Sequence, residues 1–179
     1  LGGAGNNAMT HELLWPGFQA VWPLLTNPDN TKFVAPEQAM GALGLPAINT
    51  ALLLSSSVTI TLAHHALRAG HRKPLIWWLV ATVALGVAFI FFQVEEYMIA
   101  YQEMGLTLSS GIYGSTFFML TGFHGFHVTM GATMITIILV RAIKGHFTPE
   151  KHFAFEAVAW YWHFVDVVWL GLYIFVYWL

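Results

Sequence analysis

Four long apolar runs, Pro46–Leu67, Leu75–Tyr101, Tyr113–Val140 and Phe155–Leu179, govern what this chain can fold into. Each supplies the roughly 20 residues a helix needs to cross a hydrocarbon layer about 30 Å thick. In lipid the backbone must satisfy its own hydrogen bonds, which leaves only helices and closed barrels. Barrel strands are about 10 residues of strict alternation, and these runs are longer and do not alternate. The chain is therefore expected to be all-α, a polytopic transmembrane helix bundle. Only 9% of its residues are charged and 57% are hydrophobic, against roughly 25% charged in soluble domains. There is too little polar surface to face water on all sides.

Residues 1–45 form a different region from the bundle at 46–179. The segment is rich in Gly, Pro and Asn, and Trp15-Pro16, Trp22-Pro23 and Asn27-Pro28-Asp29 mark turns. It reads as an ordered outer loop held at the membrane interface by Trp15, Phe18 and Trp22. Leu1–Gly5 has no initiating Met, basic stretch or apolar core of a signal peptide, so the chain is expected to continue something longer. The basic residues set the orientation. Arg68, Arg72 and Lys73 lie in the first connection and Arg141, Lys144 and Lys151 in or beside the third. The second connection has none, and the N-terminal region has only Lys32. The first and third connections are thus expected on the cytoplasmic or matrix side, and the C-terminus on the other. With a net charge of −2, nucleic acid is not an expected partner. The absence of cysteine excludes disulfides, iron–sulfur clusters and thiol catalysis.

Polar residues inside the spans need a reason, since a charge at the bilayer centre costs about 3 kcal/mol on insertion scales. They are Gln93, Glu95 and Glu96 in the second run, His124 and His127 in the third, and Glu156, His163 and Asp166 in the fourth. His124 and His127 are three apart and share a helix face. They could ligate a metal or haem, or make interhelical hydrogen bonds. Zinc and di-iron sites want three or four convergent ligands, and no Glu-x-x-His pair occurs within the helices, so the structural reading is favoured. His163 and Asp166 also share a face and are expected to pair as a structural element, with a proton relay as the alternative. His64 and His65 read as interfacial anchors at a helix end. Gly122 and Gly125 bracket His124 and allow close backbone approach. The expected roles of Glu96, His124, His127, Glu156, His163 and Asp166 are structural, with no metal site and no catalytic residue.

Several blocks carry a resemblance. Ile112-Tyr113-Gly114-Ser115-Thr116-Phe117-Phe118 and Thr121-Gly122-Phe123-His124-Gly125-Phe126-His127-Val128 resemble subunit III of cytochrome c oxidases. So do Phe155-Glu156-Ala157 and Trp160-Tyr161-Trp162-His163-Phe164-Val165-Asp166-Val167-Val168-Trp169. Leu45-Pro46 to Asn49-Thr50, Ala63-His64-His65, Gln93 with Glu96-Tyr97, and His146-Phe147 agree in the same order. The resemblance implies the last four helices of a seven-helix fold, with the first three absent from this chain. It implies a cofactor-free subunit of a proton-pumping aa3-type oxidase that packs on subunit I, with subunit II in the same complex. Haem and copper would lie in those partners, and cytochrome c would be the substrate of the whole complex. Relatives hold a phospholipid head group with a basic residue ending the sixth helix and a His shortly after. The matching residues are Arg141 and His146, which implies a bound phospholipid there. The long segment His11–Leu45 is similar to bacterial relatives, and implies a bacterial plasma membrane.

Three other readings remain open to test. A quinol oxidase subunit III keeps the histidine cores, but the Tyr113–Phe118 block and Ala63-His64-His65 favour the cytochrome c branch. An autonomous membrane haem enzyme would use His124, His127 and His163 together. A transporter would show broken helices and a charged midplane site.

Overall fold

The computed structural model of the chain describes residues 21, 22, 24, 25, 41–102 and 105–178. Trp15 and Phe18 lie outside these residues. Among the described residues four helices carry the fold: α1 (Leu45–Arg68), α2 (Arg72–Gln102), α3 (Ile112–Ile143) and α4 (Phe153–Leu172), the last running on into a π-helical segment, Tyr173–Trp178. All four are long and apolar enough to cross a membrane. The first three begin and end one to three residues beyond the apolar runs, and α4 begins two residues ahead of its run. α2 starts at Arg72, ahead of Pro74, because proline is tolerated in the first turn, where no intrahelical N–H bond is lost. α1 packs on α2, α2 on α3 and α3 on α4, and α4 returns to α1. The result is a closed ring of antiparallel neighbours.

Both connections at the basic end close in the same way. Gly70 and Gly145 take positive φ, 73° and 76°, as the residue after a helix often does. The N–H of His71 then reaches Ala66 O at 2.9 Å, and that of His146 reaches Arg141 O at 3.0 Å. Arg72 completes the second of these ends by donating from Nη2 to Ile143 O. Last-turn carbonyls that have no intrahelical partner are satisfied without water. At the opposite end, Trp22 Nε1–H donates to Phe175 O at 3.1 Å, and its ring lies 5.4 Å from that of Tyr113. Trp22 thus contacts the far end of the bundle, at Phe175 and Tyr113.

The centre of the bundle is built around one side chain. Trp162 of α4 is fully buried and lies between glycines of two other helices. A Cβ on Gly86 of α2 would stand 2.9 Å from its Cη2, and one on Gly131 of α3 would stand 2.8 Å from its Cε3. Its Nε1–H donates to Ser56 Oγ of α1 at 2.9 Å. One indole therefore touches all four helices, and only glycine leaves room for it. Seven residues on, Trp169 Nε1–H donates to Thr50 Oγ1 of α1 at 3.0 Å. Each accepting hydroxyl also donates to a carbonyl of its own helix, Ser56 to Leu53 O and Thr50 to Pro46 O. The Thr50 and Ser56 hydroxyls are thereby satisfied where no water reaches, whereas the buried Asn49 amide on the same helix has no partner among the described residues.

The outward faces are apolar. Trp77 is 74% exposed, Trp160 75% and Phe153 82%, so the surface of the ring suits lipid or another apolar protein face. The tight Trp162 site makes a pair of substitutions diagnostic. Gly131→Ala should destabilise the protein by about 1–3 kcal/mol through overpacking. Gly125→Ala, where an added methyl meets nothing within 4 Å, should be neutral or slightly stabilising. Heat-induced aggregation in detergent measures both, and equal effects would show that the clamp does not limit packing.

Candidate functional site

The intramembrane polar residues fall into three separate places and do not form one cluster. His124 of α3 is buried among aromatic rings. The Trp169 ring lies 5.0 Å away at 31°, and the Phe89 ring 5.8 Å away edge-on. Its Nε2 has no hydrogen-bond partner. His127, half-buried one turn later, shares a hydrogen bond between Nδ1 and Phe123 O at 2.8 Å on its own helix. Neither imidazole makes an interhelical hydrogen bond among the described residues. Their contribution is ring packing in His124 and a local backbone contact in His127. With Leu120, Phe123, Phe164, Val165, Val168 and Leu172 they line an apolar groove of about 330 Å³ between α3 and α4.

Glu96 of α2 is fully buried, so it faces protein. Gln93 Nε2 donates to its Oε2 at 3.3 Å. The Tyr177 hydroxyl faces it without reaching hydrogen-bond geometry, and Oε1 has no partner. Beside it, Tyr97 joins α2 to α3 through Thr121, with the two hydroxyl oxygens 2.6 Å apart. Glu95, about 100° further round the helix, is only half-buried.

His163 of α4 turns to α1. Its Nδ1 lies 2.7 Å from Ser57 Oγ, and its Nε2 lies 3.4 Å from Thr61 Oγ1. Asp166, expected from the sequence to pair with it, is buried on the same helix with both carboxylate oxygens free of hydrogen bonds. Ser57 stands near Asp166 but gives its close contact to the imidazole. His163 thus links helices, while its bond with Asp166 does not form. The two residues share a face, yet the imidazole finds a hydroxyl across the α1–α4 contact. Since His163 is occupied by α1, the set His124, His127 and His163 does not converge as a haem reading requires.

At the basic end Arg141 and His146 are both exposed. The turn that bonds His146 N–H to Arg141 O brings the two residues to one corner. The Arg141 guanidinium carbon stands 4.9 Å over the Phe147 ring, a cation–π contact that aims the fork while leaving it accessible. On α1 and α4 at this end, Glu156 Oε1 lies 3.3 Å from His64 Nε2 and 3.2 Å from His152 Nε2. Among the described residues, this is the one group of three with metal-ligand spacing. Sequence reasoning read His64 as an anchor and passed over His152. The available signal was its position four residues before Glu156, which puts both on one helix face.

With this geometry, the comparisons with known proteins agree on a family. A family model described as cytochrome c oxidase subunit III matches residues 30–179. The chain is similar to proteins named cytochrome c oxidase subunit 3 from Papio hamadryas (54% identical over 139 residues, 78% of this chain and 52% of the relative), from Sus scrofa (53% over 139 residues, with the same coverage) and from Tetraodon nigroviridis (55% over 134 residues, 75% and 50%). The chain spans about half the length of the curated relatives it matches.

The α1–α4 link is open to a double-mutant cycle on Ser57→Ala and His163→Ala. We expect a coupling of about 0.6 kcal/mol, and no more than about 1.7, the range found for hydrogen bonds between membrane helices. The corresponding cycle between His163 and Asp166 should give a smaller coupling. The reverse order would restore the His–Asp pair.

Proposed function

Because the chain belongs to the cytochrome c oxidase subunit III family, we propose that it is the non-catalytic third subunit of a proton-pumping aa3-type cytochrome c oxidase. In this role it contributes no haem or copper ligand. It packs on subunit I alongside subunit II, stabilises subunit I and supports its proton uptake. It sits in the plasma membrane of a bacterium, with the basic end facing the cytoplasm and the C-terminus facing the periplasm. The single observation that carries the reading is the family match over residues 30–179. The packing agrees with it. Several buried hydroxyls, those of Thr50, Ser56 and Thr121, are spent on helix contacts, which suits a scaffold, and the outward apolar faces suit a larger membrane complex.

The lipid part of the proposal rests on Arg141 and His146. A guanidinium presents a planar fork that fits phosphate oxygens. Basic groups at a cytoplasmic interface attract anionic head groups with about 1 kcal/mol each. Lys144, between them in sequence, is also exposed and adds to the field. The corner held by the α3 terminus would therefore take the phosphate of one phospholipid, its chains running down the apolar outer face.

Arg141→Ala should reduce the phospholipid that co-purifies with the complex and shorten its working lifetime under turnover. The initial rate of oxygen consumption should change little, since the proposal puts every electron-transfer centre in other subunits. Lipid phosphorus per complex and the decay of oxygen uptake measure the two effects. Unchanged lipid and unchanged lifetime would leave these residues with orientation alone.

A further inference from the structure

We propose that the lipid-facing groove between α2 and α3 seats one transmembrane helix of a partner polypeptide. That helix packs small residues against Gly122, Gly125, Thr129 and Thr133 and donates a hydrogen bond to Gln93 Oε1. The inference rests on the reading of the chain as one subunit of a larger membrane complex.

The sequence marks Gly122 and Gly125 as a place of close helix approach, yet nothing inside this chain uses it. A methyl added at Gly125 meets nothing within 4 Å, and one at Gly122 meets only the Tyr97 hydroxyl. Thr129 and Thr133 continue the same helix face at four-residue spacing, and both are exposed. Together the four residues make a strip about three turns long. The outward surface elsewhere is rich in large side chains such as Phe91, Met119, Phe123 and Trp160. Membrane helices associate through strips of this kind, because small side chains let two backbones come close.

Gln93 identifies the occupant. With α2 the strip borders a groove of about 170 Å³, lined also by Ile90, Gln93 and Val94. Gln93 is 5% exposed. Its Nε2 donates to Glu96, but its Oε1 has no partner, and a buried carbonyl oxygen without a donor costs free energy. Tyr97 and Thr121, on the same wall, are already paired with each other. The groove therefore calls for one donor against a wall of small residues. An acyl chain fills the space and donates nothing. A second copy of this chain brings the same strip, whose hydroxyls already donate to their own helix, Thr129 to Gly125 O and Thr133 to Thr129 O, each at 2.8 Å. A partner helix with small residues of its own and one Ser, Thr, Asn or Trp at the height of Gln93 meets both demands.

The experiment uses the intact complex, purified in detergent with its natural partners. Val94→Cys, on the rim of the groove, is labelled with a thiol-reactive diazirine and illuminated. The chain has no cysteine of its own, so the native complex treated in the same way gives the background. Mass spectrometry should find, joined to the labelled position, an apolar membrane-spanning segment of another polypeptide. Val167→Cys, exposed on α4 across the ring from α2, should not capture that segment. Gly125→Leu, added to Val94→Cys, fills the groove, and capture should fall roughly tenfold. Gln93→Met keeps the length and loses the acceptor, and should lower capture about threefold. If Gly125→Leu fails to assemble, Thr129→Leu at its exposed position decides. No adduct, a phospholipid adduct alone, a peptide from a second copy of this chain, or capture unchanged by the leucine would each overturn the proposal. Capture of a helix in a complex without haem would uphold the docking and remove the oxidase reading. Haem-bearing partners that co-purify without such an adduct would do the reverse.

Discussion

Everything in this bundle is arranged around the volume of one indole. Water gives helices in a membrane no hydrophobic reason to associate, so packing and a few hydrogen bonds have to hold them. Trp162 provides both. Its ring fills the space left by the missing side chains of Gly86 and Gly131, and its N–H reaches the Ser56 hydroxyl. The other three helices are thereby referenced to a single residue of α4. The same device recurs at Trp169 and Thr50, which fixes the rotation of α4 against α1 at two heights.

Hydroxyls carry most of the polar traffic. Thr50, Ser56 and Thr121 each donate back to a carbonyl of their own helix, and of the facing pair Thr59 and Thr82 one does so while the other donates across to it. Each also meets a polar atom of a neighbouring helix, as Thr59 does with Thr82 at 2.8 Å and Thr121 with Tyr97. A hydroxyl can donate and accept at once, so these small groups join helices without leaving an orphan. The carboxylates are less well provided. Glu96 and Asp166 keep oxygens without partners inside the described residues, as the Asn49 amide does, and such burial carries a cost.

The helices and their number were legible in the sequence because length and apolarity alone decide them in a bilayer. The contact of Trp22 with Phe175 and Tyr113 was not, since a Trp beside a turn shows only that it favours an interface and names no partner. The tight packing read from the Gly122–Gly125 pair lies elsewhere. A methyl added at Gly122 would meet only the Tyr97 hydroxyl and one at Gly125 nothing within 4 Å, whereas Gly86 and Gly131 make the close approach. Which small residue meets a bulky one depends on helix rotation, which an all-round apolar pattern does not encode. For the same reason the His163–Asp166 pairing failed. Spacing along one helix shows which residues share a face, but not that a serine on α1 competes for the imidazole. In the His64, His152 and Glu156 group only the four-residue spacing of His152 and Glu156 is a local signal, and no local pattern ties the distant His64 to them.

The contact between Trp22 and Phe175 has a consequence for how the chain reaches the membrane. α1 and α2 can pair as soon as both have left the ribosome, because they are joined by a short turn and contact each other extensively. The clasp at the opposite end cannot form until the last turn has been made, since its two halves are 153 residues apart. Until then the indoles' partners on α1 wait uncovered in lipid. Closure of the ring is therefore a single late event, and a nascent chain stopped short of α4 would leave the α1 hydroxyls that receive Trp162 and Trp169 open to any factor that surveys unfinished membrane proteins.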